Sequence, residues 1–474
     1  MKLRLNTILI AIVLVVLVFF LYAEKRGTYL NGSELQVFLL LVVTLFSLVV
    51  NSKLKNELFE ILNLVFVAFY ICRIPFVFID GISSYVTQRG VDISLIPWDI
   101  FILAYQYFIL SICIIAINPK IPRLHFDNGI SEFVFVRILS YAFFIIVVNI
   151  IMIALSFDLR VQTLSHVPAI LKTIFTIELS IMVIILSSFM VEKKTLLKYK
   201  FFVLTCVLLA IGCITYQGGK SFVLSIILLM YFAYLVLYGP MAFRLRGLII
   251  TMGVGLTALG MYFVGAVFRM YQVGGGPMKS LSEFGFYFNK LFIEKDNLQG
   301  LITAISHRMG YLDFYIEKVS NPVYQPYVSF TYYFKALLDK VTPGFDVFGV
   351  PFMSRAIYSA FHGEGLVTNS EFVTVFGESY LLLGFFSFCL FIPLLLLIKY
   401  VLLRFRTSSG IASALISMYV VYMFYWWLTG MGLDMLVAFI MYVGIFIFST
   451  VSLILYWSRK EKFNSSEEII VPMN

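Results

Sequence analysis

Acidic, histidine and arginine residues are concentrated in one long polar stretch, residues 269–370, and just beyond it. Carboxylates and an imidazole can act as a general base, and arginines can stabilise an anionic leaving group. This combination can support group transfer without a metal ion. The candidates, in chain order, are Arg308, Asp313, Arg355, His362, Glu364, Glu371 and Glu378.

Further ionisable residues fall inside or at the ends of apolar stretches. Such side chains are costly at membrane depth unless they pair, reach the surface or line a wet cavity. Arg137 is predicted to lie one turn from the membrane surface and to reach it. Four other cations are predicted at one level, on the same side as the polar stretch. Each can anchor a helix end at the headgroups, but together they favour a polyanion such as a lipid pyrophosphate. They are Arg73, Lys172, Lys220 and Arg269.

Several common active-site signatures are missing from the sequence. No G-x-x-x-x-G-K-[ST], G-x-S-x-G or D-x-D motif occurs, and the histidines form no H-x-x-x-H pair. An ATPase, a serine hydrolase and a metal-dependent glycosyltransferase are therefore not favoured, and no metal or cofactor is predicted. The five cysteines include no C-x-x-C pair and lie in apolar stretches, so disulfides are not expected either.

The composition indicates an integral membrane protein. Of 474 residues 61% are hydrophobic and 13% charged, whereas a typical soluble domain has about 25% charged residues. The net charge of +9 reflects cations at the ends of membrane spans, and no basic stripe suited to nucleic acid is present. The sequence therefore predicts an all-α polytopic membrane protein.

Windows of about 17–25 apolar residues give about twelve candidate transmembrane helices. Lys and Arg are several times more frequent in the connections that lie inside if the N-terminus is cytoplasmic. This bias places both termini in the cytoplasm and the polar stretch outside. The predicted spans are 5–22, 34–50, 58–79, 99–117, 133–155, 168–191, 200–217, 221–238, 247–268, 371–398, 411–430 and 433–457.

The polar stretch divides the chain into four predicted parts. Residues 1–268 form spans 1–9, residues 269–370 the long outer loop, residues 371–457 spans 10–12, and residues 458–474 a cytoplasmic tail. Apolar residues at steps of three and four predict two amphipathic helices in the loop, over about 281–292 and 298–319. We expect these helices to lie on the outer membrane surface or on the helix bundle.

Three elements of the sequence form a recognisable pattern. They are the turn Gln217-Gly218-Gly219-Lys220, the turn Thr342-Pro343-Gly344, and Gly365-Leu366-Val367-Thr368-Asn369-Ser370-Glu371 followed by Gly377-Glu378-Ser379-Tyr380 and Gly384. This pattern resembles that of the bacterial Wzy-type O-antigen and capsule polymerases. Where that family often has Arg in the glycine turn, this chain has Lys220, which keeps the positive charge but cannot form the forked hydrogen bonds of an arginine.

The resemblance implies a metal-independent glycosyltransferase with a GT-C-like fold, in the bacterial inner membrane with its active face in the periplasm. Such an enzyme joins oligosaccharide repeat units carried on undecaprenyl pyrophosphate, so its partners are a lipid-linked donor, a lipid-linked acceptor and membrane lipids. A chain-length regulator protein is a further candidate partner. The residues assigned to pyrophosphate binding are Lys220, Arg269, Arg308 and Arg355, with Arg73 and Lys172 at the same level; those assigned to catalysis are His362, Glu364 and Glu378.

Two other functions stay open at the level of the sequence. An O-antigen ligase or protein O-oligosaccharyltransferase has a similar bundle and a long outer loop, and differs in its acceptor. A lipid-linked oligosaccharide flippase or other transporter is less favoured, because transporters of this size usually show two related halves and a polar midplane.

Overall fold

The computed structural model describes thirteen helices, numbered α1 to α13 in chain order. It covers residues 3–25, 34–77, 97–121, 132–158, 163–164, 199–216, 311–320, 326–341, 347–353, 355–357, 374–404, 410–429 and 432–467, with 179, 182, 186, 231–232, 235–236, 242–243 and 285–286. The helices are α1 Leu5–Lys25, α2 Glu34–Leu54, α3 Glu57–Phe69, α4 Ile74–Val77, α5 Pro97–Ile117, α6 Glu132–Ser156, α7 Lys200–Tyr216, α8 Tyr311–Ser320, α9 Phe330–Val341, α10 Val375–Leu383, α11 Phe388–Arg404, α12 Gly410–Thr429 and α13 Leu433–Glu467.

The all-α prediction is confirmed for the described part of the chain, which adds only two pairs of two-residue strands. β1 (Leu3–Arg4) pairs antiparallel with β4 (Ala242–Phe243), and β2 (Phe157–Asp158) pairs with β3 (Thr163–Leu164). The first pair joins the start of α1 to a segment more than two hundred positions later.

Several described helices are apolar and long enough to cross a membrane. Three meet both criteria unbroken, over Glu34–Leu54, Pro97–Ile117 and Glu132–Met152, and a fourth crossing results if the bent pair Val375–Phe386 and Phe388–Arg404 counts as one. The chain is therefore built as a membrane protein. Seven of the predicted spans coincide with α1, α2, α5, α6, α7, α12 and α13.

The count of twelve spans stays a prediction, because the spans at 168–191, 221–238 and 247–268 lie largely outside the described residues. The third and the last predicted spans differ from the structure in where their helices end. The third ends as an α-helix at Phe69 and continues through a 3-10 turn, Ile71–Arg73, into the short α4. α13 runs on to Glu467, ten residues past the predicted end of the last span.

The core of the bundle is centred on α3. Almost every residue of α3 from Glu57 to Val67 is buried, and this helix contacts α1, α2, α5 and α12. A polar cluster inside the core fixes how α2, α3 and α5 align. There the Asn63 Oδ1 atom accepts hydrogen bonds from Ser47 Oγ, at 2.7 Å, and from the hydroxyl of Tyr107.

The predicted tenth span is broken rather than continuous. The chain bends by 116° between Val375–Phe386 and α11. Between α10 and α11 a 3-10 turn begins at Gly384, whose φ of +58° is a conformation that favours glycine. A break inside an apolar region exposes carbonyl groups that need donors. α5 supplies them: Gln106 Nε2 donates to the Gly384 carbonyl at 3.1 Å and Tyr105 Oη to the Phe385 carbonyl at 2.9 Å.

Candidate functional site

An ion pair joins the predicted outer loop to the bundle. Arg73, in the 3-10 turn after α3, donates from Nε to Asp313 Oδ1 at 3.2 Å and Oδ2 at 3.0 Å, and its Nη2 lies 3.0 Å from Oδ2. The two side chains are 1% and 0% exposed. A guanidinium can be buried this deeply only with an anionic partner, and Asp313 in the first turn of α8 provides one.

Aromatic side chains close the space around this pair. Phe69 stacks on Tyr311 of α8 with ring centroids 4.6 Å apart, and Tyr70 packs edge-on against Tyr311 and against Phe376 of α10. α3, α8 and α10 therefore meet in one apolar wall. α8 lies on the bundle and is covered on several sides, since Leu312, Tyr315 and Glu317 are all buried.

One nitrogen of the arginine, Nη1, meets no acceptor in the described part of this wall. Among the described residues, Arg73 Nη1 and the hydroxyl of Tyr315 are buried without a hydrogen-bond partner. Both groups can donate, and a buried donor without an acceptor is unfavourable. The ion-pair site is therefore complementary to an additional acceptor, such as an anionic or hydroxyl oxygen.

Glu378 lies in the first turn of α10, at the same junction of loop and bundle. Thr374 caps the helix, accepting from the backbone N–H of Gly377. Glu378 is buried, and its Oε1 accepts from the backbone N–H of Leu433 at 2.6 Å, which ties α10 to the start of α13. Its other oxygen, Oε2, has no hydrogen-bond partner among the described residues. One carboxyl oxygen thus holds α10 to α13, and the carboxyl group also lies close to the hydroxyl of Tyr333.

A second carboxyl group, Asp434, lies beside Glu378. Its Oδ2 accepts from the backbone N–H of Met353 at 2.8 Å, so it fastens the end of the loop to α13. A Cβ added at Gly432 would lie 2.9 Å from Asp434 Oδ1 and 3.7 Å from Glu378 Oε1. Both carboxyl groups therefore face the same small space, which only a glycine leaves open.

Tyr333 of α9 completes this carboxyl cluster. Its hydroxyl donates to Met353 Sδ at 3.2 Å. Burial, and secondly the neighbouring Glu378, raise the pKa of Tyr333 well above its ordinary value. The hydroxyl therefore stays protonated and can act as a hydrogen-bond donor beside the carboxyl groups.

The sequence-predicted site residues are only partly visible in this arrangement. The structure brings Glu378 into the carboxyl cluster, buries Arg73 against Asp313, and leaves Arg355 exposed in a short helical segment. Two N–H groups of Arg73 are therefore occupied by protein, because burial of the guanidinium requires the carboxylate. The others lie outside the described residues: Lys172, Lys220, Arg269, Arg308, His362 and Glu364.

Sequence reasoning also missed several buried acids. Asp99 and Asp434 are the first charged residues of their apolar helices, α5 and α13. Glu60 lies within the third predicted span, and Tyr231 donates to its Oε1 at 2.9 Å. An acidic side chain in the first turn of a helix is stabilised by the helix dipole. This position is the feature of the sequence from which these buried acids could have been predicted. Within the described residues no cluster of three or more His, Cys, Asp or Glu side chains is suited to a metal ion.

The chain matches no protein-family model, no curated protein and no solved structure. The resemblance to the polymerases therefore stays a prediction carried by the sequence elements alone.

Proposed function

We propose that this protein is a polymerase that joins oligosaccharide repeat units linked to undecaprenyl pyrophosphate. The enzyme lies in the bacterial inner membrane with both termini in the cytoplasm, and works at the periplasmic face. The product is O-antigen or a related surface polysaccharide. The proposal rests on the sequence resemblance and on the charge distribution of the spans.

One observation supports it above the others. The Gly377-Glu378 element places a buried carboxyl group with an open oxygen where the loop, α10 and α13 meet. A general base must be fixed in position and must keep one oxygen for the proton it removes. Glu378 meets both needs, since Oε1 is held by the Leu433 amide.

In the proposed reaction the hydroxyl of the acceptor sugar gives its proton to Glu378 Oε2. Its oxygen forms a bond to the anomeric carbon of the donor, and the bond from that carbon to the pyrophosphate oxygen breaks. The leaving lipid pyrophosphate takes both bonding electrons and is stabilised by cations. Lys220, Arg269, Arg308 and Arg355 are the proposed pyrophosphate ligands, with Lys172 at the same level. His362 and Glu364 are the other candidates for the base.

Arg73 takes a more specific part in this proposal. Since Asp313 occupies its Nε–H and one N–H of Nη2, the donors left for a substrate oxygen are the N–H groups of Nη1 and the second N–H of Nη2. Its larger contribution is to position α8, and with it the loop, against the bundle.

The decisive experiment incubates the purified protein with undecaprenyl-pyrophosphate-linked repeat units, without added metal, and separates the products on a gel. A ladder with steps of one repeat unit is expected. Glu378→Gln keeps an acceptor for the Leu433 amide and removes the base, so this variant should fold and give no ladder. Arg137→Ala is the matched control and should give the ladder of the unmodified protein.

Other outcomes would contradict the proposal in distinct ways. A full ladder from folded Glu378→Gln would exclude Glu378 as the base and direct attention to His362 and Glu364. No ladder from folded, unmodified protein would overturn polymerisation. Transfer to a different acceptor in that case would indicate a ligase.

A further inference from the structure

The hydroxyl of Tyr333 has two neighbouring acceptors of unequal strength. It donates to Met353 Sδ at 3.2 Å and also lies close to the carboxyl group of Glu378. A thioether sulfur is a weak acceptor, whereas a hydrogen bond to an ionised carboxylate is about twice as strong as one between neutral groups. Because rotation about the phenolic C–O bond alone redirects the hydrogen, the hydroxyl can serve either acceptor without a movement of the ring.

The ring of Tyr333 is fixed in place. Tyr333 is buried and forms a small core with Val328, Met353 and Ile357. Leu433, at the start of α13, packs against this core, and α9 as a whole contacts α13. The oxygen of Tyr333 therefore stays beside the carboxyl cluster, and rotation of the hydroxyl hydrogen is the freedom that remains.

The segment that carries Met353 is held by side chains of α9 and α13. Tyr332 Oη donates to the Pro351 carbonyl at 2.8 Å, and Asp434 Oδ2 accepts from the backbone N–H of Met353 at 2.8 Å. These contacts fix the chain on both sides of Phe352. The sulfur is therefore available to Tyr333 as an acceptor whenever the carboxyl group does not accept.

Glu378 requires donors if it is to act as a base. The charged form of a buried carboxyl group is stabilised by hydrogen bonds, and without them its burial is costly. Among the described residues, the donors beside Glu378 are the Leu433 N–H, at 2.6 Å, and the hydroxyl of Tyr333. An ionised carboxylate has about four acceptor positions, so both donors leave room for the proton that the base removes.

We propose that Tyr333 is a positioning residue that orients Glu378 for proton removal, so that α9 of the predicted outer loop completes the proposed active site. Before the reaction the Tyr333 hydroxyl donates to the ionised carboxylate. After Glu378 has taken the proton of the acceptor sugar, the hydroxyl turns to Met353 Sδ, and Tyr333 keeps its own proton throughout. This inference rests on the proposed function, because it gives Tyr333 a role toward the base of that reaction.

Initial rates at a series of concentrations of undecaprenyl-pyrophosphate-linked repeat units test this role in the purified protein. Tyr333→Phe keeps the ring and removes only the hydroxyl. Its kcat should fall by about ten- to a hundredfold, the worth of a hydrogen bond to a charged group, with little change in KM. Tyr332→Phe is the matched control, because it removes a hydrogen bond that holds the same loop but leaves the hydroxyl of Tyr333 in place. Its kcat should stay near that of the unmodified protein.

A double-mutant cycle measures the contact between Tyr333 and Glu378 without any need for activity. The free energies of unfolding of Tyr333→Phe, Glu378→Gln and the double variant are compared with that of the unmodified protein. The loss of stability in the double variant should be smaller than the sum of the two single losses, because the neutral glutamine already holds the hydroxyl less strongly.

The outcomes separate this inference from the proposed function. A ladder from the unmodified protein with an unchanged kcat in Tyr333→Phe overturns this inference alone, and additive losses in the cycle do the same. An equal fall of kcat in Tyr332→Phe also overturns it, because the effect then comes from a loosened loop. No ladder from the unmodified protein overturns the proposed function, and with it the role of Tyr333.

Discussion

The guanidinium of Arg73 and the carboxylate of Asp313 are in direct contact inside the protein, although 240 positions separate them in the chain. Asp313 belongs to the predicted outer loop and Arg73 to the bundle. Their contact fixes α8 against the bundle, and its contribution to the free energy of unfolding can be measured.

Removal of either member of this ion pair should strongly destabilise the protein. Arg73→Ala leaves the buried Asp313 carboxylate without its cation, and breaking a buried pair in this way typically costs about 3–5 kcal/mol. Thermal unfolding in detergent should show a large fall in the unfolding temperature of each single variant. The loss of stability in the double variant Arg73→Ala/Asp313→Ala should be smaller than the sum of the losses in the two single variants.

Arg137→Ala is the control for this experiment. Arg137 is exposed and lies over the Phe133 ring, 5.3 Å from its centre. Its replacement should therefore change the free energy of unfolding by no more than about 0.5 kcal/mol. Additive losses in the double variant would show that the two side chains do not stabilise each other.

Gly384→Ala should destabilise the break between α10 and α11. Gly384 has a φ of +58° and a ψ of −129°, and an L-residue held in such a conformation costs about 1–3 kcal/mol. Gly212→Ala is the matched control, because Gly212 lies within α7 with open space around it and alanine favours helix. Equal unfolding temperatures for both variants would mean that the break tolerates a side chain.

Gly432→Ala should disturb the carboxyl cluster. A Cβ there would lie 2.6 Å from Met353 Cε and 2.9 Å from Asp434 Oδ1, so side chains must move, at a cost of about 1–3 kcal/mol. Gly444→Ala, inside α13, which begins one residue after Gly432, meets only Tyr419 Oη at 4.0 Å and should be tolerated. Size-exclusion chromatography after graded heating compares the two, and a Gly432 variant as heat-resistant as the Gly444 variant contradicts the expectation.

Tyr231→Phe should weaken the interior of the bundle. The hydroxyl of Tyr231 donates to the buried Glu60 at 2.9 Å, and the loss of a donor to a buried polar group costs about 1–3 kcal/mol. Tyr199→Phe removes a similar hydrogen bond, to Glu132 at 2.8 Å, that is exposed to solvent. Denaturant unfolding should show a larger loss of stability for Tyr231→Phe than for Tyr199→Phe. A larger loss for Tyr199→Phe would contradict the argument that burial makes the hydrogen bond to Glu60 more important.

The sequence predicts the helices well because long apolar runs, such as those of α2, α5 and α6, are decided by composition alone. It also predicts the amphipathic pattern of Leu312 and Ile316, which are buried in α8. It cannot reveal that Asp313, on the same helix, meets Arg73, since a single sequence carries no pairing information across 240 positions.

The site was predictable only in part. The Gly377-Glu378 element marks Glu378 in the sequence, but its contact with the Leu433 amide depends on how α10 and α13 pack. In the sequence, Asp434 and Asp99 are indistinguishable from the acidic residues that commonly occupy the first turn of a helix, so their burial is not predicted. The break at Gly384 requires Gln106 and Tyr105 from a distant helix, which no local pattern indicates.

Hydrogen bonds couple that break to α5. Gln106 and Tyr105 donate to its carbonyl groups, and Ser379 Oγ donates to Gln106 Oε1 at 3.3 Å. A displacement of α10, and so of Glu378, must either break these hydrogen bonds or carry α5 with it.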